Sequence, residues 1–381
     1  VADGASLGLL AALPLVGLLT GPAYAGLVWA LAAVRLVGRR GAPVVDWPLV
    51  NTAWVFLVVC LVGCVFSVAP GHSLREIGQL GLIWAGCLVL LADRSMPAAV
   101  VKLVFAAISV AVLVGVLMLC VDRALGFPLQ RHLVSGAVFP ETKYNRGVDY
   151  LSLLVWPVVG FWVSRGRVWP AIGVAAVVTV AATAGHSTTA RVACVLGLVT
   201  WLCARRAPRE AARVLIAVVV VLAVSLPLWV HALAADRFVL WHMVKPSFLH
   251  RLEIWDYMSD RVFERPWLGW GLGNAHAVPI MPAELSSYTF VDPHGVYPHN
   301  QWLELWLETG AVGVAVAVSF AMLAVRRIEG AARGLQPFML AAGAAALAVS
   351  HANFELTTDS WWAALAVTAF LFRLASVVPA S

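Results

Sequence analysis

Several side chains in this sequence sit where their surroundings could turn them to chemistry. Tyr297-Pro298-His299-Asn300-Gln301 runs directly into an apolar stretch. Proline suits the first turn of a helix, where its missing N–H costs nothing, so the spacing predicts His299 near a helix start. The free amides and the positive dipole end there favour an anion and disfavour imidazolium. A neutral imidazole can take the proton of a hydroxyl. It can equally do no more than hydrogen-bond a loop, and the residues alone leave both readings open. Arg191 follows His186-Ser187-Thr188-Thr189-Ala190 at the start of another apolar run, and its nearest acidic residues in sequence are Asp149 and Glu210. With no local carboxylate, it is either a snorkelling side chain or a guanidinium kept for an external anion such as phosphate, which it grips bidentately. Glu304 and Glu308, one helical turn apart after His299, could form a buried acid pair, a metal site or structural links.

The stretch 248–265, FLHRLEIWDYMSDRVFER, places Leu252, Trp255, Met258, Val262 and Phe263 at three- and four-residue steps, the period of an amphipathic helix. Its other face carries Arg251, Asp256, Asp260, Glu264 and Arg265. The apolar face is expected to lie on a membrane surface. Pro266 stops the helix, and Gly269, Gly271 and Gly273 allow tight turns beyond it. There is no Asp-x-Asp, P-loop, G-x-S-x-G or H-E-x-x-H, so neither a metal ligand set nor a cofactor is expected. Cys60, Cys64, Cys87, Cys120, Cys194 and Cys203 all fall in apolar runs and read as small hydrophobes.

The elements that must position these residues follow from composition. Of 381 residues, 61% are hydrophobic and 12% charged, against roughly 45–50% and about 25% in soluble domains; mean hydropathy is +0.87. That excludes a soluble enzyme, a nucleic-acid-binding module and a disordered chain, and requires an all-α polytopic membrane protein. The net charge of +6 does not imply a nucleic-acid partner, because the basic residues lie in short clusters between apolar runs.

Twelve runs approach the ~20 residues needed to cross a bilayer: 6–20, 22–37, 49–68, 77–92, 98–121, 149–164, 169–186, 190–204, 213–233, 301–325, 336–352 and 358–374. With the N-terminus inside, the inner loops collect Arg35, Arg39, Arg40, Arg94, Lys102, Arg165, Arg167, Arg205, Arg206, Arg209, Arg213, Arg326, Arg327 and Arg333, whereas the short outer loops hold only Arg75 and Arg191. This is the positive-inside pattern. The chain thus divides into spans one to nine (1–233) with a smaller outer loop at 122–148 that carries Arg146, a large outer loop at 234–300, and spans ten to twelve (301–381). The unequal halves argue against a transporter built on inverted repeats.

RLEIWDYMSDRVFERPWLGWGLGNA followed by HNQWLELWLETGAVG resembles the bacterial O-antigen ligase family, within the wider superfamily of O-antigen ligases and polymerases. The matching positions are Arg251, Trp255, Pro266, Gly269, Gly271, His299, Asn300, Glu308 and Gly310; YNRG at 144–147 and TAR at 189–191 resemble the ligase branch. The resemblance implies a GT-C-like fold in the bacterial inner membrane. The active site would face the periplasm, and the large loop would be periplasmic. It implies a metal-independent, inverting glycosyltransferase that moves a glycan from undecaprenyl diphosphate to a sugar hydroxyl of lipid A-core, in lipopolysaccharide biosynthesis. It makes His299 the essential histidine and Arg191 and Arg265 the essential, diphosphate-binding arginines. Arg251, Arg146, Asn300, Glu304 and Glu308 would support them. The donor, the acceptor and membrane lipids are the expected partners. An O-antigen polymerase or a protein O-oligosaccharyltransferase would use the same donor, and a lipid-linked glycan flippase is the non-enzyme alternative.

Overall fold

A computed structural model describes residues 2–38, 43–93, 96–133, 143–235, 246–279 and 297–378. Arg39, Arg40 and Arg94, read as inner-loop residues, and segments 134–142, 236–245 and 280–296 of the two long loops lie outside the described residues.

In chain order the helices are α1 (Ala2–Leu19), α2 (Gly21–Gly38), α3 (Trp47–Cys64), α4 (Pro70–Ala92), α5 (Ala98–Ala124), α6 (Pro128–Leu133), α7 (Asn145–Val163), α8 (Val168–Ala184), α9 (Thr188–Ala204), α10 (Pro208–Ala235), α11 (Pro246–Glu264), α12 (Gln301–Glu329), α13 (Gln336–Ser350) and α14 (Asp359–Val377). Each of the twelve apolar runs coincides with one of these helices, and no strand occurs among the described residues. Eight helices, α1 to α5, α10, α12 and α14, are long and apolar enough to cross a membrane, so the protein is multi-pass. α8, α9 and α13 are apolar but shorter, at 17, 17 and 15 residues.

α7 falls short for a different reason. It is buried around its whole circumference and carries Asp149, Tyr150 and Ser152 inward. It packs against α1, α8, α9, α13 and α14, so it needs no lipid-facing apolar stripe. Tyr24 of α2 and Phe354 both stack on Tyr150, the former at 4.8 Å between centroids. A second cluster joins α10, α11 and the outer part of α12, and a third joins α3, α4 and α12.

Two local expectations are corrected. Pro298 is not in the first turn of α12; the helix begins at Gln301, and Asn300 is its cap, its side chain accepting from the amides of Trp302 and Leu303. A side-chain oxygen satisfies two otherwise orphaned amides, which proline cannot do. Nor does α11 rest its apolar face on a membrane. Leu252, Trp255, Met258 and Val262 are buried against Leu226 and Val230 of α10 and Leu303 and Leu307 of α12; of the predicted stripe only Phe263 is exposed. Asp256, on the face read as polar, is also buried and lies 3.2 Å from His231 of α10.

Candidate functional site

The site is organised around a break in α12. Gly310 adopts φ 62° and ψ −167°, which interrupts the i→i−4 ladder and strands backbone groups on both sides. The segment after α11 takes them up. Ala311 N–H donates to Pro266 O at 2.7 Å and Val312 N–H to Trp267 O at 3.3 Å, while Leu307 O accepts from Trp270 N–H at 2.9 Å and Glu308 O from Gly271 N–H at 3.0 Å. Contact this close excludes side chains: a Cβ on Gly310 would stand 2.3 Å from the carbonyl carbon of Trp267. Asn274 then fastens the splint to the α3–α4 turn, its Nδ2 donating to Ser67 Oγ at 2.6 Å and Ser73 Oγ at 2.8 Å.

Glu304 and Glu308 are both buried and point to different loops. Glu304 Oε2 accepts from Leu356 N–H at 2.7 Å, and Glu308 Oε1 from Ala275 N–H at 3.0 Å. Each carboxylate thus links α12 to a loop, and the two are buried one turn apart, so the structural-link and buried-pair readings both fit. Among the described residues no three His, Cys, Asp or Glu side chains converge as metal ligands.

His299 sits just before the cap of α12. Trp255 Nε1–H donates to Pro298 O, which ties the approach to α11. His299 itself has φ 48°, a left-handed conformation uncommon for residues with a Cβ and often found at functional sites. Burial pushes its imidazole down to about 4, helped by the positive charges of Arg251 and Arg146 and by His250. That direction favours the neutral imidazole at pH 7. The leading cause is burial, however, and the arginines involved are Arg251 and Arg146 rather than Arg191 and Arg265.

The four arginines occupy distinct settings. Arg251 Nη1 donates to Ala352 O at 2.6 Å. Arg146, at the head of α7, is exposed and lies 6.0 Å from the Phe354 ring centroid. Asp149, three residues after Arg146 on the same helix α7, is fully buried. Its Oδ1 accepts from Ser187 Oγ–H and its Oδ2 from Asn353 Nδ2, each at 2.7 Å. Ser187 also caps α9 by accepting from Ala190 N–H at 3.0 Å. Arg191 follows one turn on, held by Ser187 O at 3.3 Å and Thr188 Oγ1 at 3.2 Å, and no carboxylate among the described residues pairs with it. It is thus linked through Ser187 to Asp149, and is not among the charges acting on His299. Arg265 stands elsewhere, on the splint: Nη1 donates to Phe66 O at 2.7 Å, and the guanidinium lies 3.9 Å from the Trp270 ring centroid.

Sequence reasoning missed Asp149 as a hub, although a carboxylate heading an apolar run is a warning of function. It also missed the Asn353-Phe354-Glu355 turn. Phe354 has φ 60°, and Glu355 is raised above the usual carboxylate range by burial, with Arg146 opposing the shift. No motif marks that turn. Chemically, the assembled outer end offers a neutral proton acceptor beside two guanidinium groups.

A family model described as O-antigen ligase matches residues 171–318, from within α8 to within α12. The match contains Arg191, Arg251, Arg265, His299, Asn300, Glu304 and Glu308, while Arg146 lies outside it. The chain is 23% identical over 289 residues to a protein of Rickettsia bellii, covering 73% of this chain and 68% of that one. It is 19% identical over 283 residues to one of Rickettsia typhi, covering 74% and 69%. It is 33% identical over 72 residues to one of Rickettsia conorii, covering 18% of each. All three are named as proposed polysaccharide ligases.

Proposed function

We propose, from the match of residues 171–318 to the O-antigen ligase family model and the similarity to proteins named as polysaccharide ligases, that the chain belongs to that family and transfers a glycan from undecaprenyl diphosphate to a sugar hydroxyl of lipid A-core. The reaction takes place at the periplasmic face of the bacterial inner membrane. The twelve apolar helices α1–α5, α7–α10 and α12–α14 are then twelve crossings of a GT-C-like fold, and the loop at 234–300 is its large periplasmic catalytic loop. The observation that carries the reading is the position of His299, in a left-handed turn just before the cap of α12, with the charges of Arg251 and Arg146 acting on it.

The chemistry divides accordingly. The acceptor hydroxyl gives its proton to the His299 imidazole as its oxygen attacks the anomeric carbon from the face opposite the diphosphate. The bond between that carbon and the diphosphate oxygen breaks, the configuration inverts, and undecaprenyl diphosphate leaves with the bonding pair. Guanidinium groups aimed at the departing oxygens gain strength as charge develops there. Arg191, free of carboxylates, and Arg265 are the proposed ligands, with Arg146 and Arg251 holding the imidazole neutral. Asn300, Glu304 and Glu308 position the helix end. A histidine base contributes roughly 10²–10⁴-fold, and holding both lipid substrates in one bundle adds proximity. No metal is required in this scheme, so transfer survives EDTA; a strict need for Mg²⁺ or Mn²⁺ would refute that part.

The test is reconstitution in liposomes with labelled lipid-linked glycan and lipid A-core. A labelled lipid A-core product supports the ligase reading. Elongated donor alone would make the protein a polymerase, label on protein an oligosaccharyltransferase, and movement of intact donor across the bilayer a flippase.

A further inference from the structure

At the end of α12 opposite His299, helices α9, α10, α12 and α13 leave a cavity of ≈ 750 Å³. Its floor is apolar, with Ala212, Ile328 and Leu340. Its rim carries Arg205 from the α9–α10 turn, Arg209 from the first turn of α10 and Arg333 from the α12–α13 turn. All three are exposed, and none is ion-paired with a carboxylate among the described residues. The Arg205 guanidinium is stacked 4.6 Å from the Trp201 ring centroid, which sets its direction without neutralising it. Two glutamates share the lining, but Glu210 is already paired with Arg213 at 2.7 Å, leaving Glu329. The adjacent Arg327 is committed to Asp46 through bonds of 2.7 and 3.0 Å, so the rim arginines are a separate set. Next to the cavity, Val199 and Leu202 of α9 and Val214 of α10 are exposed, as expected of faces toward acyl chains.

Three guanidinium groups from three elements, around an apolar floor at the end of a membrane bundle, suit a ligand that is both anionic and apolar. Free phosphate gains nothing from the floor or the flanking valines and leucine. A zwitterionic lipid gains little from the arginines. We propose that this cavity binds the phosphate-bearing headgroup of an anionic glycerophospholipid, with the acyl chains running along the exposed faces of α9 and α10. The site is at the opposite end of the molecule from His299 and does not depend on the glycan-transfer reading.

The experiment uses the full chain purified in detergent. Native mass spectrometry counts retained lipid, and thermal melting reads stabilisation, on addition of phosphatidylglycerol, phosphatidylcholine or inorganic phosphate. Phosphatidylglycerol should be retained and raise the melting temperature, while phosphatidylcholine and phosphate at equal concentration should not. The triple variant Arg205→Ala, Arg209→Ala, Arg333→Ala should bind phosphatidylglycerol about a hundredfold more weakly, and the triple Lys variant, which keeps the charge, should lose less. Equal binding of both lipids, unchanged binding by the Ala variant, or full displacement of phosphatidylglycerol by millimolar phosphate would each overturn the proposal. The wild-type arms decide it even if a variant fails to fold.

Discussion

The two parts of α12 obey different rules. Beyond the break, from Gln301 to Thr309, the buried residues are Gln301, Leu303, Glu304, Leu305, Leu307, Glu308 and Thr309; from Ala311 to Glu329 only Gly313, Val314, Val318 and Val325 are buried. Apolar side chains of the inner part can face acyl chains at no cost. The outer part carries carboxylates and a broken backbone, which lipid cannot satisfy. Protein loops must therefore enclose it: the splint 266–277 on one side and the turn 351–358 on the other. The lesson is that the polar site is built by taking one part of a helix out of the lipid and into protein, across a kink at Gly310.

Changes confined to the outer end should have the largest effects. His299→Ala should lower transfer by roughly 10²–10⁴-fold while leaving the melting temperature near wild type. His299→Gln should rescue little, and a Gln variant that keeps most of the turnover would reduce His299 to a binding residue. The same imidazole sets the pH dependence. Its value in the folded protein is pushed down to about 4, so the neutral, proton-accepting form should persist as pH falls through the ordinary histidine range near 6.5. Transfer should hold down to about pH 5 and be lost through pH 4. The linkage has the same sign: between those values the unfolded chain binds more protons, so stability falls with falling pH. A rate that halves near pH 6.5 would contradict the described burial.

Next come the two proposed diphosphate ligands. Arg191→Ala and Arg265→Ala should each cost about 10²–10³ in transfer, the scale of a lost donor to developing charge. Lys should rescue each only partly, because it lacks the bidentate fork. Full activity of either Ala variant removes that arginine from the mechanism. Arg265 is the sharper test, since it stands on the splint, away from the charges acting on His299.

Gly310→Ala probes the boundary itself. With positive φ and a new Cβ 2.3 Å from backbone, it should destabilise by about 1–3 kcal/mol, seen as a lower melting temperature. Transfer should fall along with it, because the splint and the outer turn move together. The smallest effect belongs to the inner part: Ser319→Ala removes a hydroxyl bonded only to Ala315 O of its own helix at 2.8 Å and should change stability by less than about 0.5 kcal/mol. If Ser319→Ala proved as damaging as Gly310→Ala, the contrast between the two parts would fail.

Much of this was legible in the sequence because it depends on local patterns. Apolar runs located the helices, and the three- and four-residue steps from Leu252 to Phe263 located α11. The Gly-Trp-Gly-Leu-Gly segment announced turns, and the neutral imidazole was read from a helix end and nearby arginines, whereas burial is the leading cause. What was not legible depends on which elements meet. The apolar stripe of α11 reads the same whether it faces lipid or protein, so its burial could not be told from periodicity. The pairing of Asp149 with Asn353, and of Glu304 with Leu356, joins segments with no sequence relation. Asn300 was read as a supporting site residue and not as the helix cap, because a proline two residues earlier offered a competing helix start.

The Asp149–Asn353 bond spans 204 positions of the chain. At synthesis rates of about 5–20 residues per second, the carboxylate enters the bundle some ten to forty seconds before its amide partner exists. During that interval α7 must hold a carboxylate in its interior with Ser187, 38 positions later, as its earlier partner. The arrangement delays assembly of this end of the bundle until the turn before α14 has emerged and folded back.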